Sequence, residues 1–438
     1  MPPQASPQAP IVFVHGNGDS AALWQTTLWR FESNGWPSHL LHALDVPYPL
    51  ARDANDQTQA GRSSTTQHTQ ALQALVESVM QKTGAKQVVL IGNSRGSNAI
   101  RNYICNGGGA QFVSHAILGG GTNHGVQAVP GLNDASEFSG AGAFLKQLNA
   151  PKNDKGDEVC GPTLWMTIRS DNNDKFAQPD GLWIGMKGRP TLVGFDGPEL
   201  KGAKNVVIPQ IDHRETSFSP AAFEASFQFI TGQAPVHNIV AQNEIELNGK
   251  VFGLGVDPLK ADSGNYVNNL PLQGAKLAVY AVDAQTGQRI GAAKHTVTVQ
   301  SNGQWGPFKA NSSASYEFEL EADGYATTHI YRSPFARSSS IVHLRPERLA
   351  AADRTTQAMV NFTRPRGYFD ASRDQMMLDG KSELAGVVKG VSAGNSSVRI
   401  RIPESPQRDV AAEFNGEKLR GLTWPASQGH VTVLELTY

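Results

Sequence analysis

Residues 88–100 read VVLIGNSRGSNAI. An apolar run that suits a buried strand ends at Gly92, and Ser94 stands between Gly92 and Gly96 where helical spacing begins. A serine at the end of a strand that turns sharply into a helix sits in a strained backbone conformation. Only small neighbours avoid collision across such a turn. GNSRG therefore fits the G-x-S-x-G nucleophile elbow, with Ser94 as the candidate nucleophile. The five-residue pattern is weak alone, since Gly and Ser are common; the strand before it and the helix after it give it weight.

Outward from this turn, strand-like and helix-like stretches alternate. IVFVHG, KQVVLIG, HAILGGG, TLWMTIRS and NVVIPQI read as strands. GRSSTTQHTQALQALVESVMQKTG carries Leu72, Leu75, Val76, Val79 and Met80 at helical spacing, with Gly84 placed as a C-terminal cap. SNAIRNYICN follows the elbow as a helix, with Ile100, Tyr103 and Ile104 on one face. SPAAFEASFQFITG reads as a closing helix, with Pro220 at its first position and Gly232 ending it. This alternation predicts an α/β fold: a mostly parallel sheet with helices on both faces.

Near residue 235 the texture changes. Strand-like runs are punctuated at short intervals by Gly, Asn, Asp and Ser, as at Thr286-Gly287 and Asn302-Gly303. This predicts a C-terminal all-β region, an antiparallel sandwich or barrel. The expected organisation is a tail over 1–10, an α/β domain over 11–236, a β-sandwich-like domain over 237–346 and a second β unit over 347–438.

The chain has 438 residues, more than one ordinary core holds. Apolar residues make up 39% and charged residues 18%, which suits a globular protein, and the net charge of -1 gives no global field for nucleic acid or an anionic membrane. No apolar run approaches the length of a transmembrane helix. Cys105 and Cys160 are compatible with one disulfide or with two buried thiols. No Ca²⁺ loop of EF-hand spacing and no Cys/His zinc cluster is visible, so neither metal nor cofactor is expected.

A serine hydroxyl needs a base, and the base needs an acid to orient it. In this type of fold the chain order is Ser, acid, His. Of the histidines after Ser94, His115 lies beside a strand start and His124 precedes a long connection. His237, His295, His329, His343 and His430 fall at or beyond the change of texture. His213 follows the last strand of the α/β portion and precedes its final helix, where a base belongs. TLWMTIRSDNNDKFAQP offers Asp171 and Asp174 just after a strand. Asp174 is favoured, since KFAQP shapes the turn behind it; Asp171 then caps the loop. Two backbone N–H donors are needed for an oxyanion. Arg95, after the nucleophile, supplies one, and Asn17, in VHGNGDS after the first strand, supplies the other. His15 reads as a loop-holding residue.

FVHGNGDSAALW, FESNGW, GNSRG, GTNHGV, GAFLKQLN and RSDNNDKF…IDH together resemble bacterial and archaeal lipases of the α/β-hydrolase superfamily over roughly residues 10–232. GGGTNHGV is similar to the lipase GTPHxG segment, which makes His124 a structural landmark. The resemblance implies carboxylic ester hydrolysis through an acyl-serine intermediate, with Ser94, Asp174 and His213 as the triad and the Asn17 and Arg95 amides as oxyanion donors. The sequence departs from the family at Asn93, Arg95 and Asn17, which predicts a more polar mouth than a triglyceride site has.

Phe138, Phe144 and Leu145 lie in a Gly/Ala/Asn-rich stretch that reads as a lid or as a plain surface excursion. Leu182, Trp183, Ile184 and Met186 form an apolar cluster beside the acid loop. Phe144, Leu182 and Trp183 are the expected substrate-binding residues. The expected substrate is a lipid, acyl ester or polyester, with lipid-interface or polymer contact. Rival readings are a polyester depolymerase whose β units grip polymer, and a binding protein with an inert hydrolase fold. MPPQASPQAP reads either as a linker left after a signal peptide or as the Pro/Gln-rich tail of a cytosolic protein; the expected location is secreted or periplasmic.

Overall fold

In the computed structural model, residues 8–171, 173–182, 184–256, 266–390 and 393–438 are described. The chain divides into two compact units, Met1–Asn238 and Ile239–Tyr438.

The first unit is built on six strands: β1 (Ile11–Val14), β2 (Leu41–Ala43), β3 (Val88–Asn93), β4 (Val113–Gly119), β5 (Leu164–Ser170) and β6 (Lys204–Ile208). Their order in the sheet is β2-β1-β3-β4-β5-β6, and every pairing is parallel. Parallel strands need crossover connections, which helices supply. α1 (Gln25–Ser33), α2 (Thr65–Thr83), α3 (Arg95–Asn106) and α4 (Ala143–Asn149) lie in the four connections from β1 to β5, and α5 (Glu215–Phe218) and α6 (Pro220–Thr231) follow β6.

Alternation along β1 shows how both faces are filled. Val12 and Val14 join a buried cluster with Leu72, Val76 and Val79 of α2 and Ile100, Tyr103 and Ile104 of α3. Phe13 points the other way, onto Trp24 at 5.1 Å and Phe31 of α1 at 5.9 Å, and Phe31 meets Phe223 of α6 edge-on at 5.0 Å. A strand buried on both sides reads as a continuous apolar run, as IVFV does. The helix ends carry the expected signals. Ser64 and Gln67 form a capping box at the start of α2, Pro220 opens α6, and Gly84 and Gly232 close α2 and α6 in the left-handed conformation.

Cys105, in the last turn of α3, is disulfide-bonded to Cys160, ahead of β5, with α-carbons 5.4 Å apart. The bond ties α3 to the segment leading into β5.

In the second unit, a seven-stranded sheet runs in the order His295–Thr298, Lys276–Val282, Ser315–Glu321, Thr327–Arg332, His430–Glu435, Ala358–Thr363, Ser397–Ile402. It is not purely antiparallel. His430–Glu435 pairs in parallel with both Thr327–Arg332 and Ala358–Thr363. The stretches read separately from sequence as 237–346 and 347–438 thus share one sheet. Local alternation marks strands but does not choose partners a hundred residues away. Tyr331, Val360, Phe362, Phe414 and Leu434 lie in one buried cluster that draws on both stretches. The fully buried Glu317 is held by Arg289 at 2.6 Å and His329 at 2.7 Å, as a buried carboxylate requires.

The 55-residue separation of the cysteines corresponds to about 4 kcal/mol of stabilisation through restriction of the unfolded chain. The Cys105→Ser/Cys160→Ser variant should show that loss in urea unfolding at neutral pH. An unchanged unfolding midpoint would contradict a stabilising bridge.

Candidate active site

Ser94 lies between β3 and α3 with φ 52° and ψ −119°, a conformation that an L-residue rarely adopts. The glycines on either side explain how the turn fits. A β-carbon at Gly92 would lie 2.9 Å from the Ser97 amide nitrogen and 2.8 Å from the Ile100 side chain. One at Gly96 would lie 2.3 Å from the Val14 carbonyl oxygen, so the first turn of α3 rests directly on the end of β1. Ser94 is half-buried while Asn93 and Arg95 beside it are fully buried.

Asp174 follows β5, and His213 lies in the loop between β6 and α5. His213 Nδ1 lies 2.9 Å from each Asp174 carboxylate oxygen, and both residues are buried. Nδ1–H therefore donates to the carboxylate and Nε2 is left as an acceptor. Among the described residues Nε2 has no hydrogen-bond partner. Asp174 is fixed in turn by the Phe176 N–H at 2.9 Å, and the Phe176 ring lies 4.3 Å from the imidazole. Asp171 does different work. Its Oδ1 accepts from the Ser170 hydroxyl and from the Asn173 and Gln210 backbone N–H groups, which closes the loop.

Ser94 and His213 both border the end of β4. The Ser94 N–H donates to the Gly119 carbonyl at 2.8 Å. At Gly120 a β-carbon would come within 3.1 Å of His213 Nδ1. The Asn93 amide bridges the two, donating to Ser217 Oγ at 2.8 Å and to the His213 carbonyl at 3.3 Å.

The loop after β1 brings Asn17 to the same end of the sheet. Among the described residues neither the Asn17 nor the Arg95 backbone N–H donates a hydrogen bond. His15 holds this loop: Nδ1 lies 2.8 Å from the Gly16 carbonyl and Nε2 accepts from the Val46 N–H at 3.1 Å. Burial pulls its pKa down, consistent with a neutral ring.

The expected polar mouth is corrected in part. Asn93 and Arg95 spend their polar groups inside the fold, so only Asn17 presents an exposed residue there. The stretch read as a lid or an excursion is tied down. The Val126 N–H donates to Phe138 and the Gly140 N–H to Gln127, and Glu137 is ion-paired to Arg95 at 2.7 Å. Of the expected substrate-binding residues, Phe144 sits in the first turn of α4 and Leu182 in the turns beyond Asp180; both are half-buried. No hydrogen bond or ring contact joins either to Ser94 or His213 among the described residues. Trp183 lies outside the described residues.

Residues 8–152 match the family described as Lipase (class 2), and residues 243–349 match the Lipase C-terminal domain. Each match covers a minority of the chain, the first lying within the α/β unit and the second within the β-rich unit. No curated protein matches it. Among solved structures it is similar to Bacillus licheniformis lipase BlEst2 in its propeptide form, with 14% identity over 73% of this chain and 91% of that chain and a TM-score of 0.38. It is also similar to phospholipase PlaB from Legionella pneumophila, with 11% identity over 78% and 94% of the two chains and a TM-score of 0.37. Aspergillus fumigatus lipase B gives 12% identity, 53% and 54% coverage and a TM-score of 0.37.

Two features of the first unit carry no sequence signal. Arg214, next to His213, is ion-paired with Asp19 of the β1 loop at 3.5 Å. Lys175, next to Asp174, is buried, and that burial, with Arg214 adding repulsion, brings its ammonium down to about 8. Because the folded value lies below the unfolded one, the cost of keeping this lysine charged is full below pH 8. It is relieved as pH rises towards 10.5. Wild-type stability minus that of Lys175→Met should therefore rise over that window, by up to about 3 kcal/mol. Paired urea titrations at pH 7 and 10 measure this, and a flat difference would contradict it.

Proposed function

We propose that the first unit is a serine carboxylic-ester hydrolase in which Ser94 is the nucleophile, His213 the base, Asp174 the orienting acid, and the Asn17 and Arg95 backbone N–H groups the oxyanion donors. The observation that carries this reading is the buried Asp174–His213 pair, whose Nε2 has no partner among the described residues, at the same end of the sheet as a serine in a strained elbow. The match to the class 2 lipases supports ester chemistry.

His213 Nε2 takes the Ser94 proton as Oγ attacks the ester carbonyl carbon. The imidazolium is then stabilised by the Asp174 carboxylate, 2.9 Å away. Negative charge developing on the carbonyl oxygen is met by donors that need no reorganisation. The C–O bond to the alcohol breaks as His213 returns the proton to the leaving oxygen, leaving an acyl-serine. Water, deprotonated by the same nitrogen, attacks the acyl carbon, and the acid departs as Oγ regains its proton. Unliganded triads often show long or unmade Ser–His bonds that tighten with substrate.

The substrate class is an acyl ester of lipid type, and Asn17 is the polar residue at its mouth. Export to an oxidising compartment fits the Cys105–Cys160 bond.

A fluorophosphonate should label Ser94 alone, as read by peptide mass spectrometry. Ser94→Ala should lower kcat on p-nitrophenyl esters on the order of 10⁶-fold. Asp174→Asn should lower it about 10⁴-fold, while Asp171→Asn keeps most of it. Labelling elsewhere would overturn the nucleophile. Loss of turnover in Asp171→Asn with retention in Asp174→Asn would overturn the acid.

A further inference from the structure

Arg95 follows the nucleophile, yet its side chain is wholly buried. All five guanidinium N–H groups are engaged. Nε and one terminal nitrogen form a fork on Glu137, at 2.7 and 2.9 Å. The rest reach the Pro49 carbonyl at 3.0 Å, Ser63 Oγ at 2.9 Å and the Ser63 carbonyl at 2.7 Å. Such a pair is not an efficient way to gain stability. Desolvation offsets much of the attraction, and apolar residues of similar volume often do as well. What a planar fork supplies is geometry.

That geometry leads to the other oxyanion loop. The Pro49 carbonyl, bound by Arg95, also accepts the Gly18 N–H at 3.1 Å. The Ala51 N–H donates to the Asn17 side chain at 2.7 Å. Segment 49–51 is thus gripped on one side by Arg95 and on the other by the residues that carry the second donor. Ser63 stiffens it, its hydroxyl donating to the Tyr48 carbonyl at 2.7 Å and its N–H to Leu50 at 2.9 Å.

We infer that the Arg95 guanidinium, locked by Glu137 and joined through Pro49 to the Asn17 loop, is a positioning group that sets the spacing between the two oxyanion N–H donors. This rests on the hydrolase reading above. Two donors serve one oxyanion only if both lie about 2.7–3.1 Å from it, and a displacement near 1 Å costs about 100-fold in rate. The arrangement acts on the transition state, so it should appear in kcat rather than in KM.

The test uses the full chain, with Glu137→Gln, which keeps shape but weakens the fork, and Asn17→Ala, which cuts the tie to Ala51 at an exposed residue. Wild type must first label at Ser94 with a fluorophosphonate and hydrolyse p-nitrophenyl esters; failure there overturns the hydrolase reading and this inference with it. Given that activity, both variants should lose about 10- to 100-fold in kcat with KM changed less than about twofold. Affinity for a trifluoromethyl ketone, whose Ser94 adduct carries an oxyanion, should fall in parallel. The double variant should lose less than the product of the single losses. A folded Glu137→Gln with a lower Tm but wild-type kcat and ketone affinity overturns the inference and leaves Arg95–Glu137 a structural pair. Should Glu137→Gln fail to fold, Asn17→Ala decides: an unchanged kcat overturns the inference, and a selective kcat loss upholds it.

Discussion

Ser94 is held at φ 52°, a backbone state that costs an L-residue about 1–3 kcal/mol and persists only where its surroundings over-determine it. Here β3 fixes the chain before the serine, α3 fixes it after, and the Gly119 carbonyl holds its N–H. Gly96 lets the helix start against the end of β1, which brings the Asn17 loop beside the elbow. Each further part of the site is attached to this turn. Asn93 holds the His213 loop, and Arg95 holds Pro49 and Glu137.

The arrangement separates two kinds of polar residue. Asp174 and His213 are buried but leave one nitrogen without a partner among the described residues, a state that folding alone does not favour. Arg95, Glu137 and Asn93 are buried with their side-chain polar groups hydrogen-bonded inside the fold, so they contribute shape and add no polarity to the surface. The Asp19–Arg214 ion pair adds a further tie between the loop after β1 and the His213 loop.

What the sequence made legible was local. The apolar runs of β1, β3, β4 and β5, the periodicity of α2, and the caps at Gly84, Pro220 and Gly232 each state their structure within a few residues. Chain order then placed Asp174 and His213 after successive strands. The short strand β2 carries too few residues to show a period, and α1 buries Thr26, Thr27 and Arg30, which blurs its apolar face. The guanidinium of Arg30 donates to groups far along the chain, the Phe218 carbonyl and Asn238 Oδ1, each at 2.8 Å. Glu137 carries no local signal, because its partner lies 42 positions away. The same limit holds in the second unit, where His430–Glu435 enters the sheet between strands more than sixty positions earlier in the chain.

The central claim is that the elbow, the imidazole and two free N–H groups converge on one reacting centre. A crystal structure of the protein phosphonylated on Ser94 tests this most directly. The account predicts the phosphonyl oxygen about 3 Å from both the Asn17 and Arg95 amide nitrogens, with His213 Nε2 within hydrogen-bond reach of the Ser94 oxygen. A phosphonyl oxygen directed to solvent, or an imidazole turned away from the modified serine, would contradict it.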